Sequence, residues 1–264
     1  MPADLTGVKR RIAHAQRDLD ALRDEVAAYM EPSPYRVVVE RDGDSEAIRT
    51  YIDREPDPDW AIKFGSVGVQ ARTALDHLVF QLVIDSDNPV SKRTRTQFPI
   101  FENEGDYREH RERMLKGVAS RHRKVIARLQ PYHRGKRAFE DPLAILATIT
   151  NRDKHREDHV VLAGAGRATY RLDRSLIQPP VEDLTITIDR GPHESQRITD
   201  GGVLFGIENQ PSPEAPDEKI KLELDDLHAV LLFEGDRPVS LDDLSRAVTH
   251  ASEIVERFSN RIKP

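Results

Sequence analysis

The chain has 264 residues, of which 38% are hydrophobic, so it can bury a core without covalent crosslinks. It contains no cysteine, which excludes disulfides, thiolate catalysis and sulfur-ligated metal sites and favours a reducing compartment. Its formal net charge is -6, and the sequence shows neither the apolar core of a signal peptide nor an apolar run long enough to cross a bilayer, so we expect a cytoplasmic protein with no membrane contact.

The first half of the chain is predicted to be mainly helical. Apolar residues at alternating steps of three and four predict a helix over residues 4–29. Two β-branched runs around an Asp-Gly pair predict a hairpin over residues 35–53. A long apolar helix over residues 59–85 follows, and its Gly65 and Gly68 indicate a kink or the close approach of another helix.

Three more helices are predicted, and the last one closes the chain. A basic helix covers residues 106–129 after Phe98-Pro-Ile-Phe101, a candidate apolar plug, and a helix over residues 141–155 begins at an Asp-Pro pair. Ser240 and Asp243 cap a C-terminal helix whose apolar heptad seam resembles that of the first helix. Because the exposure of two apolar seams to water is unfavourable, we expect these terminal helices to pack on each other or on a partner chain. We also expect a homodimer.

Beyond residue 156 the spacing of apolar residues changes from the pattern typical of helices to the pattern typical of strands. Runs of apolar residues separated by Gly, Pro and Asp predict a mostly antiparallel sheet, and Gly164-Ala-Gly166 is interpreted as a hairpin turn. The expected strands cover residues 160–162, 169–172, 184–188, 203–207, 220–224 and 229–233. The predicted fold is α+β: a helical domain over residues 1–156 with the inserted hairpin, then residues 157–264 as an antiparallel sheet whose closing C-terminal helix packs back on the first helix.

The charge is distributed unevenly. Residues 92–137 carry 14 Lys or Arg against 5 Asp or Glu, whereas residues 157–264 carry 12 against 21. A basic segment inside an acidic protein predicts binding to the phosphates of RNA, although a solvated helix face explains the same pattern. The side chains predicted to bind nucleic acid lie in the basic helix: Arg121, Arg123, Lys124 and Arg128.

Two polar clusters interrupt the apolar helices. The first polar cluster is Arg72, Asp76 and His77, in which Arg72 and Asp76 are four residues apart and can pair on one helix face. The cluster is consistent with a catalytic site. Taken alone, the cluster favours the alternative, a buried ion pair beside a hydrogen-bonded core histidine.

The second polar cluster ends the helix over residues 141–155 and consists of Asn151, Asp153, Lys154 and His155. Asn151 and His155 are one turn apart, and Asp153 continues the inward apolar stripe of that helix. A charge on an inward stripe needs a partner, so we expect Asp153 to meet Arg72 or His77 across two packed helices. Favourable interaction of the basic residues with the helix C-terminus is the alternative explanation for this cluster.

The residues in and around these two clusters resemble motifs of two known protein families. Ala74-Leu-Asp-His-Leu78, Phe98-Pro-Ile100, Asn151 and Asp153-Lys-His-Arg156 together resemble a family of bacterial proteins with no established activity, over residues 60–160. Arg72-x4-His77 also resembles the R-x4-6-H motif of the HEPN superfamily of RNA-binding and RNA-cleaving helical bundles.

The resemblance to HEPN proteins implies RNA cleavage without metal or cofactor. The ribose 2′-hydroxyl would attack the adjacent phosphate, His77 would move a proton, and Arg72 would stabilise the charge that develops on phosphate. His155 and Lys154 would hold the RNA backbone, and a homodimer would complete the site.

Two other functions stay open. His155 and His159 are four residues apart and, with Asp76, His77 or Asp153, would make a metal-dependent hydrolase. The alternative is a noncatalytic oligomeric interaction module, in which both polar clusters only stabilise the fold. The sequence taken as a whole favours the interaction module, and we put RNA binding or cleavage forward as the function because it predicts the result of an assay on particular residues.

Overall fold

The computed structural model describes residues 3–42, 45–86, 96–152, 160–172, 184–190, 196–208, 220–233 and 237–262. The α-helices are α1 (Thr6–Met30), α2 (Asp59–Ile84), α3 (Glu104–Met114), α4 (Ser120–Arg128), α5 (Pro142–Arg152) and α6 (Leu241–Ser259), and a 3-10 segment covers Pro131–Glu140. The strands are β1 (Tyr35–Asp42), β2 (Ser45–Ile52), β3 (Val160–Leu172), β4 (Leu184–Arg190), β5 (Gln196–Arg197), β6 (Gly202–Glu208), β7 (Ile220–Phe233) and β8 (Val239–Ser240). The fold is therefore α+β, as predicted. In the described part of the chain, none of the helices combines the length and apolar character that crossing a membrane requires.

The chain divides into two compact units. The first contains residues 1–25, 58–159 and 235–264, and the second contains residues 26–57 and 160–234. The hairpin belongs to the second unit because β2 pairs antiparallel with β6, so that Ser45 lies opposite Glu208. This grouping differs from the division at residue 156 that the sequence suggested. A strand pairing between residues so distant in the chain leaves no local pattern to detect.

The second unit contains two antiparallel arrangements. One is the three-stranded sheet β1-β2-β6. In the other, β3 lies between β4 and β7, and the short β5 also pairs with β3. The predicted turn at residues 164–166 is wrong, because β3 continues through these residues and pairs with β7 along its whole length. The two short runs predicted at either end of β3 are therefore one strand.

The core of the first unit surrounds α2, whose buried residues lie on several faces. A Cβ atom added at Gly68 would lie 2.6 Å from Cγ2 of Ile149 in α5. The glycine therefore permits a close approach of α2 and α5, which is one of the two interpretations of this position. Phe98 is fully buried, so the expectation that the segment after residue 97 contains an apolar plug is correct.

The terminal helices α1 and α6 lie side by side and antiparallel. Lys9 pairs with Glu256 at 3.0 Å, and Arg23 pairs with Asp242 at 3.3 Å. Both helices bury apolar residues: Val8, Ile12, Ala15, Leu19 and Leu22 in α1, and Leu244, Ala247, Val248, Ala251, Ile254, Val255 and Phe258 in α6. Each seam is thus covered within one chain. The predicted cap of α6 is confirmed, because Ser240 and Asp243 form a reciprocal capping box.

The basic helix predicted over residues 106–129 is wrong as a single helix. It is two helices, because α3 ends at Met114 and Gly117 adopts a φ of 87°, which L-residues with a side chain rarely adopt. The backbone N–H of Val118 then donates to the carbonyl of Leu115 at 3.0 Å, and α4 begins at Ser120. Both Leu115 and Val118 are buried, so packing and the glycine together turn the chain.

Candidate functional site

The first polar cluster binds the backbone of Phe98. The Arg72 guanidinium donates a hydrogen bond from Nη2 to the carbonyl of Phe98 at 2.6 Å. The N–H of Phe98 donates to Oδ1 of Asp76 at 2.8 Å, and the Arg72 and Asp76 side chains pair at 3.5 Å. Both backbone groups of a buried residue are thereby satisfied, as its burial requires.

The position of Arg72 favours a structural role. Its side chain is 18% exposed. Burial lowers the pKa of the Arg72 guanidinium, and the charge of Asp76 opposes that shift. The Arg72 guanidinium interacts with two groups of the protein itself, the carbonyl of Phe98 and the carboxylate of Asp76. Arg72 therefore helps to hold residues 96–100 against α2.

His77 lies apart from these bonds, at an open groove of about 610 Å³. Its side chain is exposed, and Asp76, Phe80, Gln81 and Asp4 also line the groove. The N–H of Asp4 donates to Oε1 of Gln81 at 2.9 Å, which joins the start of α1 to α2. Among the described residues that line this groove there are two carboxylates and no Lys or Arg.

The second polar cluster is only partly described. Asn151 is exposed near the end of α5, while Asp153, Lys154 and His155 lie outside the described residues. The expected meeting of Asp153 with Arg72 or His77 therefore stays a prediction. His159 also lies outside them, and the residues that are described contain no group of three His, Asp or Glu side chains placed to hold a metal ion.

Arg121 and His122 converge on a buried carboxylate. Nη2 of Arg121 lies 2.6 Å from Oδ2 of Asp85, and Nε2 of His122 lies 2.7 Å from the same oxygen. The side chains of Asp85 and His122 are 3% and 1% exposed. Although Arg121 was predicted to bind nucleic acid, it thus joins the start of α4 to the end of α2.

Arg123 caps the end of α3. Its Nε donates to the carbonyl of Val118 at 2.8 Å, its Nη2 donates to that of Leu115 at 2.9 Å, and its Nη1 pairs with Glu112 at 2.7 Å. Lys124 and Arg128 differ from it. Both are exposed on α4, one turn apart, and neither pairs with a carboxylate in the part of the chain that the structure describes.

A cleft of about 350 Å³ separates α3 from α4. We call it the α3–α4 cleft; three cationic side chains line it, those of Arg111, Arg123 and Lys124, together with one carboxylate, that of Glu112. Ser120, the first residue of α4, also lines it. The cleft exists because the chain breaks between α3 and α4, so its cations converge in a way that one continuous helix would not permit.

Five rings form a contiguous cluster next to this cleft, and sequence analysis did not detect it. We call it the aromatic cluster: Phe101, Tyr107, His110, Tyr132 and His133. Its members come from three segments of the chain, so only the Tyr132-His133 pair was visible as neighbours in the sequence. Tyr107 is shared, because it also lines the α3–α4 cleft.

No family model matches the chain, and neither a curated protein nor a solved structure matches it. The resemblance to HEPN proteins therefore stays a prediction that rests on Arg72-x4-His77.

Proposed function

We propose that this protein binds RNA by its sugar–phosphate backbone at the α3–α4 cleft. One observation carries the proposal: Lys124 lines the cleft together with Arg111 and Arg123, and the exposed Arg128 lies one turn further along α4. Within the described residues, neither Lys124 nor Arg128 pairs with a carboxylate. Glu112 offsets only part of this charge, since it is the single carboxylate among the described residues lining the cleft. Concentrated positive charge beside a concave surface attracts phosphates and releases their counterions.

The rest of the basic segment supports the proposal less strongly. Arg108 pairs with Glu104, Arg134 with Asp141 and Arg137 with Glu140, so part of the excess positive charge is neutralised within the fold. Exposed pairs of this kind contribute little to stability. Helix α3 carries three arginines against four carboxylates and therefore adds no net positive charge, so Lys124 and Arg128 on α4 supply the direct contacts.

Cleavage by His77 is a separate proposal with weaker support. A phosphodiester in the His77 groove would face the carboxylates of Asp4 and Asp76, which repel it. Arg72, the expected partner of phosphate, donates instead to the carbonyl of Phe98. Binding without cleavage is therefore the form of the proposal that the geometry favours, and an oligomeric interaction module with no nucleic-acid partner is the alternative.

The proposal is tested by charge reversal at two exposed cations. The double variant Lys124→Glu with Arg128→Glu should bind a labelled RNA more weakly, and the log–log slope of affinity against salt should decrease by about 2 units. The matched control is Arg10→Glu with Arg17→Glu, which makes the same charge change at two exposed positions of α1. Equal loss in both double variants, or no RNA binding by the unaltered protein at low salt, overturns the proposal.

The cleavage hypothesis needs its own experiment. RNA is incubated with the unaltered protein and with His77→Ala, each with and without EDTA. Cleavage that persists in EDTA and is lost in His77→Ala would support the HEPN-like mechanism. Binding without any cleavage would leave the α3–α4 cleft as the functional site.

A further inference from the structure

We infer that the RNA bound at the α3–α4 cleft is single-stranded, and that its unpaired bases stack on the aromatic cluster beside the cleft. The inference rests on the proposed function and adds the class of nucleic acid that the site takes. It is carried by the outer rings of the aromatic cluster, Phe101, His110, Tyr132 and His133, which are not fully buried and which the proposed phosphate contacts do not use.

The rings of the cluster are in contact along a path whose central member, Tyr107, lines the cleft. The ring centroids of His110 and Phe101 are 5.5 Å apart, and those of Phe101 and Tyr107 are 6.3 Å apart. Tyr107 lies 5.6 Å from Tyr132, which lies 4.3 Å from His133. Tyr107, the central and buried ring of this path, also lines the α3–α4 cleft, so the ring cluster adjoins the phosphate site.

The outer rings of the cluster are accessible. Tyr107 is only 2% exposed and contacts both Phe101 and Tyr132. His133 is exposed, the side chain of His110 is 39% exposed, and Phe101 and Tyr132 are half-buried. An aromatic surface supported by a buried ring, with its outer members in solvent, is the arrangement that nucleobase stacking uses.

Hydrogen bonds to backbone groups hold the cluster in place. The N–H of Tyr132 donates to the carbonyl of Phe101 at 3.2 Å, and Nε2 of His133 lies 2.9 Å from the carbonyl of Ala127. Gln130, which is buried, accepts from the N–H of Phe101 and donates to the carbonyl of Pro99. The rings are therefore positioned before any ligand arrives, which reduces the entropy lost on binding.

Charged side chains of both signs lie near these rings. Burial raises the pKa of Tyr132, the charge of Glu104 raises it further, and the charges of Arg108 and Arg111 oppose the shift. The cations available to the phosphates of a stacked strand are therefore those of the cleft, of which Lys124 is exposed. A duplex has its bases stacked and paired, so it can use the cations and not the rings.

The test compares a single-stranded RNA with a fully paired, blunt-ended RNA duplex of the same length, each fluorescently labelled. The unaltered protein should prefer the single strand, and the double variant His110→Ala with His133→Ala should weaken single-strand binding by about 5- to 100-fold and so reduce its preference over the duplex. His133→Phe keeps a ring at this position and should retain the preference. The double variant Lys124→Glu with Arg128→Glu should instead bind both RNAs more weakly, because both RNAs use the phosphate contacts.

A second measurement does not depend on any variant. 2-Aminopurine in a single-stranded RNA loses fluorescence when it stacks on an aromatic ring, so binding to the unaltered protein should quench it. If the protein binds RNA but shows neither quenching nor a preference for the single strand, the stacking inference is overturned and the proposed function stands. If the protein binds neither RNA, the proposed function itself fails.

Discussion

Asp76 accepts a hydrogen bond from the backbone N–H of Phe98 at 2.8 Å. Arg72, one turn earlier on α2, donates to the carbonyl of the same residue. Two side chains of one helix thus bind both polar backbone groups of a buried phenylalanine that follows the helix in the chain. This arrangement gives Arg72 and Asp76 a structural role and separates them from His77, which is exposed.

Arg72→Ala should destabilise the protein strongly, whereas His77→Ala should not. Removing the arginine leaves the carbonyl of Phe98 and the Asp76 carboxylate without this partner, and breaking such a pair costs about 3 kcal/mol when it is largely buried. An exposed histidine changes stability by less than about 0.5 kcal/mol. The free energy of unfolding of both variants is measured by urea titration. Equal values for the two variants would contradict a stabilising role of the Arg72 hydrogen bond to Phe98.

Gly68→Ala should destabilise the packing of α2 on α5 by about 1–3 kcal/mol, because its methyl group would lie 2.6 Å from Cγ2 of Ile149. Gly7→Ala is the matched control. It is also helical, and a Cβ atom there meets no atom within 4 Å, so the change should be neutral or stabilise by up to about 1 kcal/mol.

A double-mutant cycle assigns the Gly68 effect to that contact. Ile149→Ala removes the clashing methyl group, so Gly68→Ala should cost less in that background than in the unaltered protein. Thermal unfolding of the unaltered protein, the two single variants and the double variant gives the coupling free energy between positions 68 and 149. Additive effects would show that another contact opposes the alanine.

The fluorescence of Trp60 should report the protonation of Glu25. Trp60 is the chain's single tryptophan, and its Nε1 donates to Glu25 at 2.9 Å. Hydrogen bonds from Lys63 and then Trp60 hold the pKa of Glu25 below its usual value of 4.5. Because the folded pKa is the lower one, this contact stabilises the fold above pH 4.5 and loses its contribution as the pH falls through the folded pKa.

Acid titration of Trp60 emission is the measurement. The unaltered protein should show a transition below pH 4.5, and Glu25→Gln, which has no charge to lose, should show a flat trace over the same range. A transition that persists in Glu25→Gln would assign the signal to another group.

Lys9 and Glu256 should be coupled weakly. They lie 3.0 Å apart with side chains 45% and 58% exposed, so a double-mutant cycle with Lys9→Met and Glu256→Gln should give about 0.2–1 kcal/mol, decreasing with salt. A cycle between Lys9 and Glu253 is the control and should give no coupling. Coupling of the control pair instead would place α1 and α6 in another register.

Much of the helical architecture was predictable. Apolar periodicity located α1, α2 and α6, and the Ser240–Asp243 cap was visible because its residues are close in the chain. The break at Gly117 was missed, because the basic side chains around it gave no signal that helix α3 ends at Met114. The candidate site was predictable only in part: Lys124 and Arg128 remain candidates, while Arg121 and Arg123 bind the protein's own groups.

The sequence by itself determined the α+β class, the absence of cysteine chemistry and the position of the basic segment, because composition and local periodicity are properties of neighbouring residues. Only the tertiary structure decided which cations are neutralised, as Arg121 is by Asp85, and which remain exposed, as Lys124 does. Only the tertiary structure brought Phe101, Tyr107 and Tyr132 together. Ion pairs and ring contacts join residues that are distant in the chain, so they follow from packing.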